Sequence, residues 1–238
     1  RILSFLNADP DQYTCFFTGS GTTAGINRLA RVFREFRKEK DVVIVSIMEH
    51  HSNDLPHRKH SNKVVHVSLE NQELGNPGSL DLEVLEKTLS LYKGRVNYVS
   101  ITGISNVTGI INPIYDIAEI AHNHGAFVII DGAQMAAHMP VKISGHSNPK
   151  RNIDAFVFSG HKTYAPGSPG VVICRKDILT NIEPEEVGGG MVDDVFIDNY
   201  IIKNNFPDRE EAGTPNIPGA VALAASIEVL DTIGLEKI

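Results

Sequence analysis

The sequence predicts an α/β domain in which helices cover a mostly parallel β-sheet. Three observations predict it. Strand-like and helix-like segments alternate along the chain. The strand-like segments are continuous apolar runs, as expected of strands buried on both faces. Polar, titratable residues follow five of those runs, at the strand ends where doubly wound sheets bind ligands.

The elements follow in order. Tyr13 to Phe17 is a short, aromatic-rich strand that runs out at Gly19. Ala24 to Lys40 carries Ile26, Leu29, Ala30, Phe33 and Phe36 at helical spacing. Val42 to Ile47 and Val64 to Leu69 read as strands. Leu80 to Leu91 has Leu82, Leu85 and Leu89 on one face and is closed by Gly94. Val96 to Ile101 is the next strand. Pro113 opens a helix that runs to about His124 and stops at Gly125. Ala126 to Ile130 is an unbroken apolar run ending in Asp131. Ser144 to Asn152 is polar and reads as an exposed loop. Ile153 to Phe158 and Gly170 to Cys174 are two more strands, and Ile217 to Leu230 is an Ala-rich helix. Asp193 to Arg209 has no regular pattern.

Composition limits the function. The 238 residues are 42% apolar and 21% charged, which is globular and not disordered. A net charge of −7 argues against a general nucleic-acid binder, because neutralising phosphates needs a basic surplus. No apolar run approaches the roughly 20 residues of a membrane span. Two cysteines cannot make a disulfide framework, so a cytoplasmic setting is expected. Residue 1 is Arg, which suggests a processed start or a piece of a longer protein.

The strand ends carry the chemistry. Gly19-Ser20-Gly21-Thr22-Thr23 opens a helix, where free backbone N–H groups and hydroxyls suit a phosphate; a merely capped helix is the other reading. It is neither a Walker loop nor the dinucleotide glycine pattern. Asp131 can pair with a cation on a ligand or can cap the next turn, and Gln134 lies three residues on. Lys162, in Ser159-Gly160-His161-Lys162, can lose a proton by desolvation and form a Schiff base, or can be a solvated surface lysine. A lysine for an aldehyde, an acid for a ring nitrogen and a phosphate cradle are together what pyridoxal 5'-phosphate requires.

Five motifs then resemble the class V aminotransferase family: Glu49-His50-His51-Ser52-Asn53, Ser105 to Pro113, Asp131-Gly132-Ala133-Gln134, Ser159 to Lys162, and Ala212-Gly213-Thr214-Pro215-Asn216. Within it the chain is most similar to the group II cysteine desulfurases and selenocysteine lyases. The resemblance implies fold type I, a three-layer α/β/α large domain whose mostly parallel sheet has one antiparallel strand at Gly170 to Cys174. It implies that Lys162 holds pyridoxal 5'-phosphate and shuttles the substrate α-proton. Asp131 keeps the pyridine nitrogen protonated, and His51, the second of the pair, stacks on the ring. Asn106 and Gln134 bond the phenolic oxygen. Thr22, Thr23, Ser159 and His161 hold the phosphate, and Thr214 reaches the phosphate of a neighbouring subunit in a homodimer. Gly188-Gly189-Gly190 lets backbone pass close to that subunit.

The resemblance also implies an amino-acid substrate, L-cysteine first, with a sulfur-acceptor protein as a partner. A transaminase or another lyase is the first alternative, and an incomplete fragment or scaffold is the second. The family's N-terminal segment and C-terminal small domain, with its substrate-binding arginine and loop cysteine, are expected to be missing from residues 1–238. The loop between His138 and Asp154 is longer than usual, and Gly19-Ser20-Gly21 departs from many desulfurases.

The remaining polar residues have plain readings. Cys15 and Cys174 are buried strand thiols. His122 and His124 suit a helix C-terminus. His57 and His60 sit in a short polar segment and lack partners for zinc, so no metal site is expected. Arg28, Arg31, Arg34, Arg37, Lys38 and Lys40, with Glu35 and Glu39 between them, read as a solvated helix face.

Overall fold

The computed structural model describes residues 1–70 and 78–238. A short helix α1 (Ile2–Phe5) leads into β1 (Tyr13–Thr18) and the long helix α2 (Gly21–Phe36). Then come β2 (Val42–Ser46), α3 (Leu55–His60), β3 (Lys63–Val67), α4 (Leu82–Leu91), β4 (Val96–Thr102), α5 (Ile114–Asn123) and β5 (Phe127–Asp131). The second half holds β6 (Ala155–Ser159), β7 (Gly170–Arg175), α6 (Lys176–Leu179), β8 (Val192–Val195), β9 (Tyr200–Ile202) and α7 (Ile217–Ile233).

Seven strands form one sheet in the order β1-β7-β6-β5-β4-β2-β3. Strand β7 runs antiparallel to both β1 and β6, and every other pairing is parallel. The expected single antiparallel strand is therefore present at the expected place. Strands β8 and β9 make a separate hairpin inside the stretch that has no pattern in sequence.

Successive strand side chains point to opposite faces, and both faces are buried here. Val42, Ile44, Val128, Ile130, Phe156, Phe158, Val171 and Ile173 face one core, closed by α1, α4, α5 and α7. Val43, Val45, Phe127, Ile129, Ala155, Val157 and Val172 face the other, closed by α2 and α6. Three layers result. Each fully buried large aliphatic or aromatic side chain contributes roughly 1.5–3 kcal/mol.

Helix α2 buries Ile26, Leu29, Ala30 and Phe33, as its periodicity predicts. Phe33 meets Tyr98 and Phe127 edge-on, at 5.2 and 5.5 Å between ring centroids. Gly25 allows the helix to lie close on the sheet: a Cβ there would come 2.6 Å from Val157 Cγ1 and 2.8 Å from Val172 Cγ2.

Two expectations about polar residues are corrected. The basic face of α2 is only partly solvated. Arg28 is 9% exposed, lies over the Phe16 ring and pairs with buried Glu210 at 2.7 Å, and Arg37 sits 3.6 Å above the Phe127 ring. Guanidinium groups are planar and weakly hydrated enough to pack on aromatic faces. His57, placed by the sequence in a short polar segment, is fully buried on α3. The polar loop at 144–152 is exposed or half-buried apart from Ser144, which is buried and accepts the Asp9 backbone N–H. Among the described residues no helix is long and apolar enough to cross a membrane.

Candidate active site

The parallel strands all point their carboxyl ends to one edge, and this edge collects the polar residues. Thr18 ends β1, Ser46 ends β2, Thr102 ends β4, Asp131 ends β5 and Ser159 ends β6. A cleft there is lined by Ser20, Thr22, Thr23, His50, Ser52, Asn106, Asp131, Gln134, Ser159, His161 and Lys162, among others. Of the sequence-predicted site residues, the structure thus brings together Thr22, Thr23, Asn106, Asp131, Gln134, Ser159, His161 and Lys162.

The phosphate-like corner is built by the first turn of α2. Gly21 has φ +58°, a conformation that glycine tolerates, and a Cβ on it would lie 2.7 Å from Ser159 Oγ. Ser159 Oγ accepts the Thr22 N–H at 2.9 Å and shares a hydrogen bond with Thr22 Oγ1 at 2.8 Å. Thr23 Oγ1 lies 2.7 Å from Ser52 Oγ, which ties the helix start to the turn after β2. Hydroxyls, a helix N-terminus and the exposed His161 make a donor-rich corner suited to an anion.

Asp131 is 3% exposed, and its Oδ1 accepts the Ala133 N–H at 2.9 Å. Burial pushes its carboxyl above the usual range; the Ala133 N–H and the charges of Lys162 and His50 pull the other way. A buried carboxylate is therefore held near a lysine and an imidazole. Lys162 itself is exposed, because the short 3-10 turn at Gly160–Lys162 carries it out of the sheet edge into the cleft. The desolvation expected for it is not supplied by these residues alone.

The histidine pair is resolved differently from the sequence expectation. His50, not His51, lines the cleft beside Asp131. The Ser52 N–H donates to His50 Nδ1 at 3.0 Å, so His50 caps the turn that His51 opens, and His51 is left exposed outside the cleft. Adjacent residues on such a turn face different ways, and spacing alone does not reveal which one faces inward.

Thr214 does not line this cleft. It lies in a neighbouring cavity of about 530 Å³, against about 120 Å³ for the cleft, on the far side of the Gly19–Thr23 turn with Gly19, Ala24 and Asn27. The larger cavity is lined by four glutamates and Arg28 and by no lysine.

Glu49 is the residue that sequence reasoning left without a role. Its carboxyl bridges Ser46, Asn53 and the Thr102 N–H, and burial pushes it up to about 8. A glutamate next to a strand-end histidine was the available signal. Cys15 and Cys174 are free thiols on β1 and β7, both pushed up by burial, Cys15 to about 12, and neither lines the cleft. Among the described residues no group of three or more His, Cys, Asp or Glu could hold a metal ion.

The residues present fit a cofactor that joins an aldehyde, a basic ring nitrogen and a phosphate. The amine, the buried acid and the donor-rich turn border one cleft, and the Gly21 position leaves the space that a side chain would fill.

Known proteins resemble the chain over all or nearly all of its length. A probable cysteine desulfurase of Halalkalibacterium halodurans is 38% identical over all of this chain and 56% of its own length. A cysteine desulfurase of Escherichia coli strain K12 is 35% identical over the same shares. The chain therefore spans little more than half of these relatives. Among solved structures, the apo cysteine desulfurase of Thermococcus onnurineus superposes with a TM-score of 0.84 at 32% identity, covering 100% of this chain and 56% of that one. The Escherichia coli cysteine desulfurase CsdA gives 0.83 at 32% identity, covering 99% and 56%. The family model described as aminotransferase class-V matches residues 1–238, and the chain belongs to the class V aminotransferase family.

Proposed function

We propose that this chain is the cofactor-binding large domain of a pyridoxal 5'-phosphate-dependent cysteine desulfurase. The observation that carries the reading is the convergence of Lys162, Asp131 and His50 with the hydroxyl-lined turn at Gly21–Thr23 on one cleft. The relatives named as cysteine desulfurases, at 35 to 38% identity, favour that reaction over transamination.

When bound, the cofactor supplies an electron sink for negative charge developing at the substrate Cα. The chain's residues do the rest. Lys162 Nζ would hold the cofactor aldehyde and would move the proton at the substrate Cα. The Asp131 carboxylate holds the proton on the ring nitrogen; its burial strengthens that pairing. His50, not His51, is assigned to the ring face. Asn106 and Gln134 orient the phenolic oxygen, while Thr22, Thr23, Ser159 and His161 bind the phosphate. In the net reaction the Cβ–S bond of L-cysteine breaks, an acceptor thiol takes the sulfur as a persulfide, and alanine is left.

A homodimer and a cytosolic setting belong to the same proposal. Thr214 is exposed outside its own chain's cleft, which supports a role toward a second subunit. Cys15 and Cys174 are unpaired, which supports a reducing compartment, and neither is the sulfur acceptor.

The test uses the full-length protein. Added pyridoxal 5'-phosphate is expected to give a near-visible absorbance band, lost in Lys162→Ala. L-Cysteine is expected to yield alanine and, with a thiol reductant, sulfide. Release of keto acids from an amino-acid panel without sulfide would replace this reading with transamination, and absence of any band would end it.

A further inference from the structure

We propose that Glu49 is a positioning residue of this cleft, whose carboxyl joins three elements and thereby sets His50 beside Asp131. The proposal rests on the reading of the cleft as a cofactor site. Ser46 Oγ, at the end of β2, lies 2.5 Å from Glu49 Oε1. The Asn53 side-chain amide, from the turn after His50, donates to Oε2 at 2.6 Å, and the Thr102 N–H donates to the same oxygen at 2.8 Å. Thr102 is the register partner of Asp131 across β4 and β5. One carboxyl thus links the strand before His50, the turn after it and the strand beside Asp131.

A buried chain backs this carboxyl. Asn53 Oδ1 accepts from Ser100 Oγ at 2.7 Å and from His57 Nε2 at 3.1 Å, and the Tyr98 hydroxyl lies 2.9 Å from His57 Nδ1. Asn53, His57, Tyr98 and Ser100 are all 0% exposed. With its amide N–H₂ aimed at Glu49, Asn53 presents its oxygen to His57. His57 must then carry its proton on Nε2 and accept from Tyr98 at Nδ1. Burial, which pushes His57 down to about 3, agrees with that neutral ring. Every donor in the chain points toward Glu49.

The same geometry decides the charge. Burial raises Glu49 to about 8, with the Asp131 charge adding to it and the Ser46, Asn53 and Thr102 hydrogen bonds pulling the other way, so near neutral pH Glu49 favours its protonated form. The short contact to Ser46 Oγ then runs from acid to hydroxyl, while Oε2 keeps both of its donors. Glutamine reproduces this pattern, N–H₂ to Ser46 and oxygen to Asn53 and Thr102. Aspartate has the same carboxyl but is one methylene short of the three partners.

The test compares Glu49→Gln, Glu49→Asp and Glu49→Ala in the full-length protein. Readouts are cofactor-free crystal structures, cofactor affinity from the near-visible band, and the pH at which that band changes. In Glu49→Ala the His50 ring is expected to move by roughly 1 Å or more, a shift large enough to matter for reactivity. Cofactor affinity is expected to fall about tenfold, the value of one good hydrogen bond to a charged or buried group, and the band's pH dependence to shift. Glu49→Gln is expected to restore all three and Glu49→Asp none. Glu49→Ala with His50 in place, or Glu49→Asp matching Glu49→Gln, would overturn the proposal; both conservative variants decide it should the alanine variant fail to fold. Wild-type protein that takes up no cofactor would end the functional reading instead, and the cofactor-free crystals would still decide this one.

Discussion

Asp131 shows the tension between stability and function at the scale of one residue. Its buried carboxyl is raised above the usual range, so ionising it in the cofactor-free fold costs stability. For a raised carboxyl, the penalty is absent below the unfolded pKa and grows as pH rises through the folded one. Asp131→Asn keeps an oxygen for the Ala133 N–H and removes that penalty. Cofactor-free Asp131→Asn is therefore expected to show a higher urea midpoint than wild type at pH 7, while its turnover in the full-length protein falls by roughly a hundredfold or more, as for lost preorganised charge. A lower midpoint, or normal turnover, would contradict the role given to Asp131. The histidine pair makes a second contrast. His50→Ala is expected to weaken cofactor binding roughly three- to tenfold, as for a lost stacking contact, and His51→Ala to leave it unchanged in the same absorbance titration. Asp131 is legible in the sequence because it ends an apolar strand, and Lys162 because it closely follows one. The inward histidine is not, because the turn decides which of two neighbours faces the cleft.

Helix α2 is the element on which the cleft depends. Its periodic apolar face, from Ile26 to Phe33, is legible because burial and spacing coincide. The close approach made by Gly25 is not legible, since nothing in the sequence says that Val157 and Val172 lie opposite. Gly25→Val is expected to destabilise the fold by about 1–3 kcal/mol through overpacking. It also displaces the turn at Gly21–Thr23, so phosphate-dependent cofactor affinity is expected to fall with it. Chemical denaturation together with cofactor titration measures both, and unchanged affinity in a destabilised variant would detach the turn from the helix packing. The hairpin of β8 and β9 was illegible for a different reason. Val195, Phe196 and Ile197 are exposed, so its hydrophobic residues do not report burial. Helix α3 is six residues long, too short for a period to show.

For the whole molecule, the end of the sheet opposite the cleft carries a polar lock. The His122 ring presents Nε2 to Asp154 at 2.7 Å and Nδ1 to the Lys150 carbonyl at 2.6 Å. Asp154 also receives the Val128 N–H and Arg175. Two acceptors at two ring nitrogens require the imidazolium. Burial alone would lower His122 and Arg175 adds to that, but the Asp154 carboxylate and the Lys150 carbonyl outweigh both and hold it above its ordinary value. The contribution is therefore complete below about pH 6.5, the ordinary imidazole value, and is lost as pH rises through the raised folded value. The stability gap between wild type and His122→Ala is expected to shrink from pH 6 to pH 9 in urea titrations; a constant gap would mean that the ring packs without its charge. The three-layer fold itself was legible because strands buried on both faces leave continuous apolar runs. The central claim concerns what the cleft holds. Borohydride reduction of the full-length protein with pyridoxal 5'-phosphate, followed by peptide mass mapping, tests it most directly. A pyridoxyl group on Lys162 is the result predicted, and its attachment to another lysine, or to none, would contradict the account.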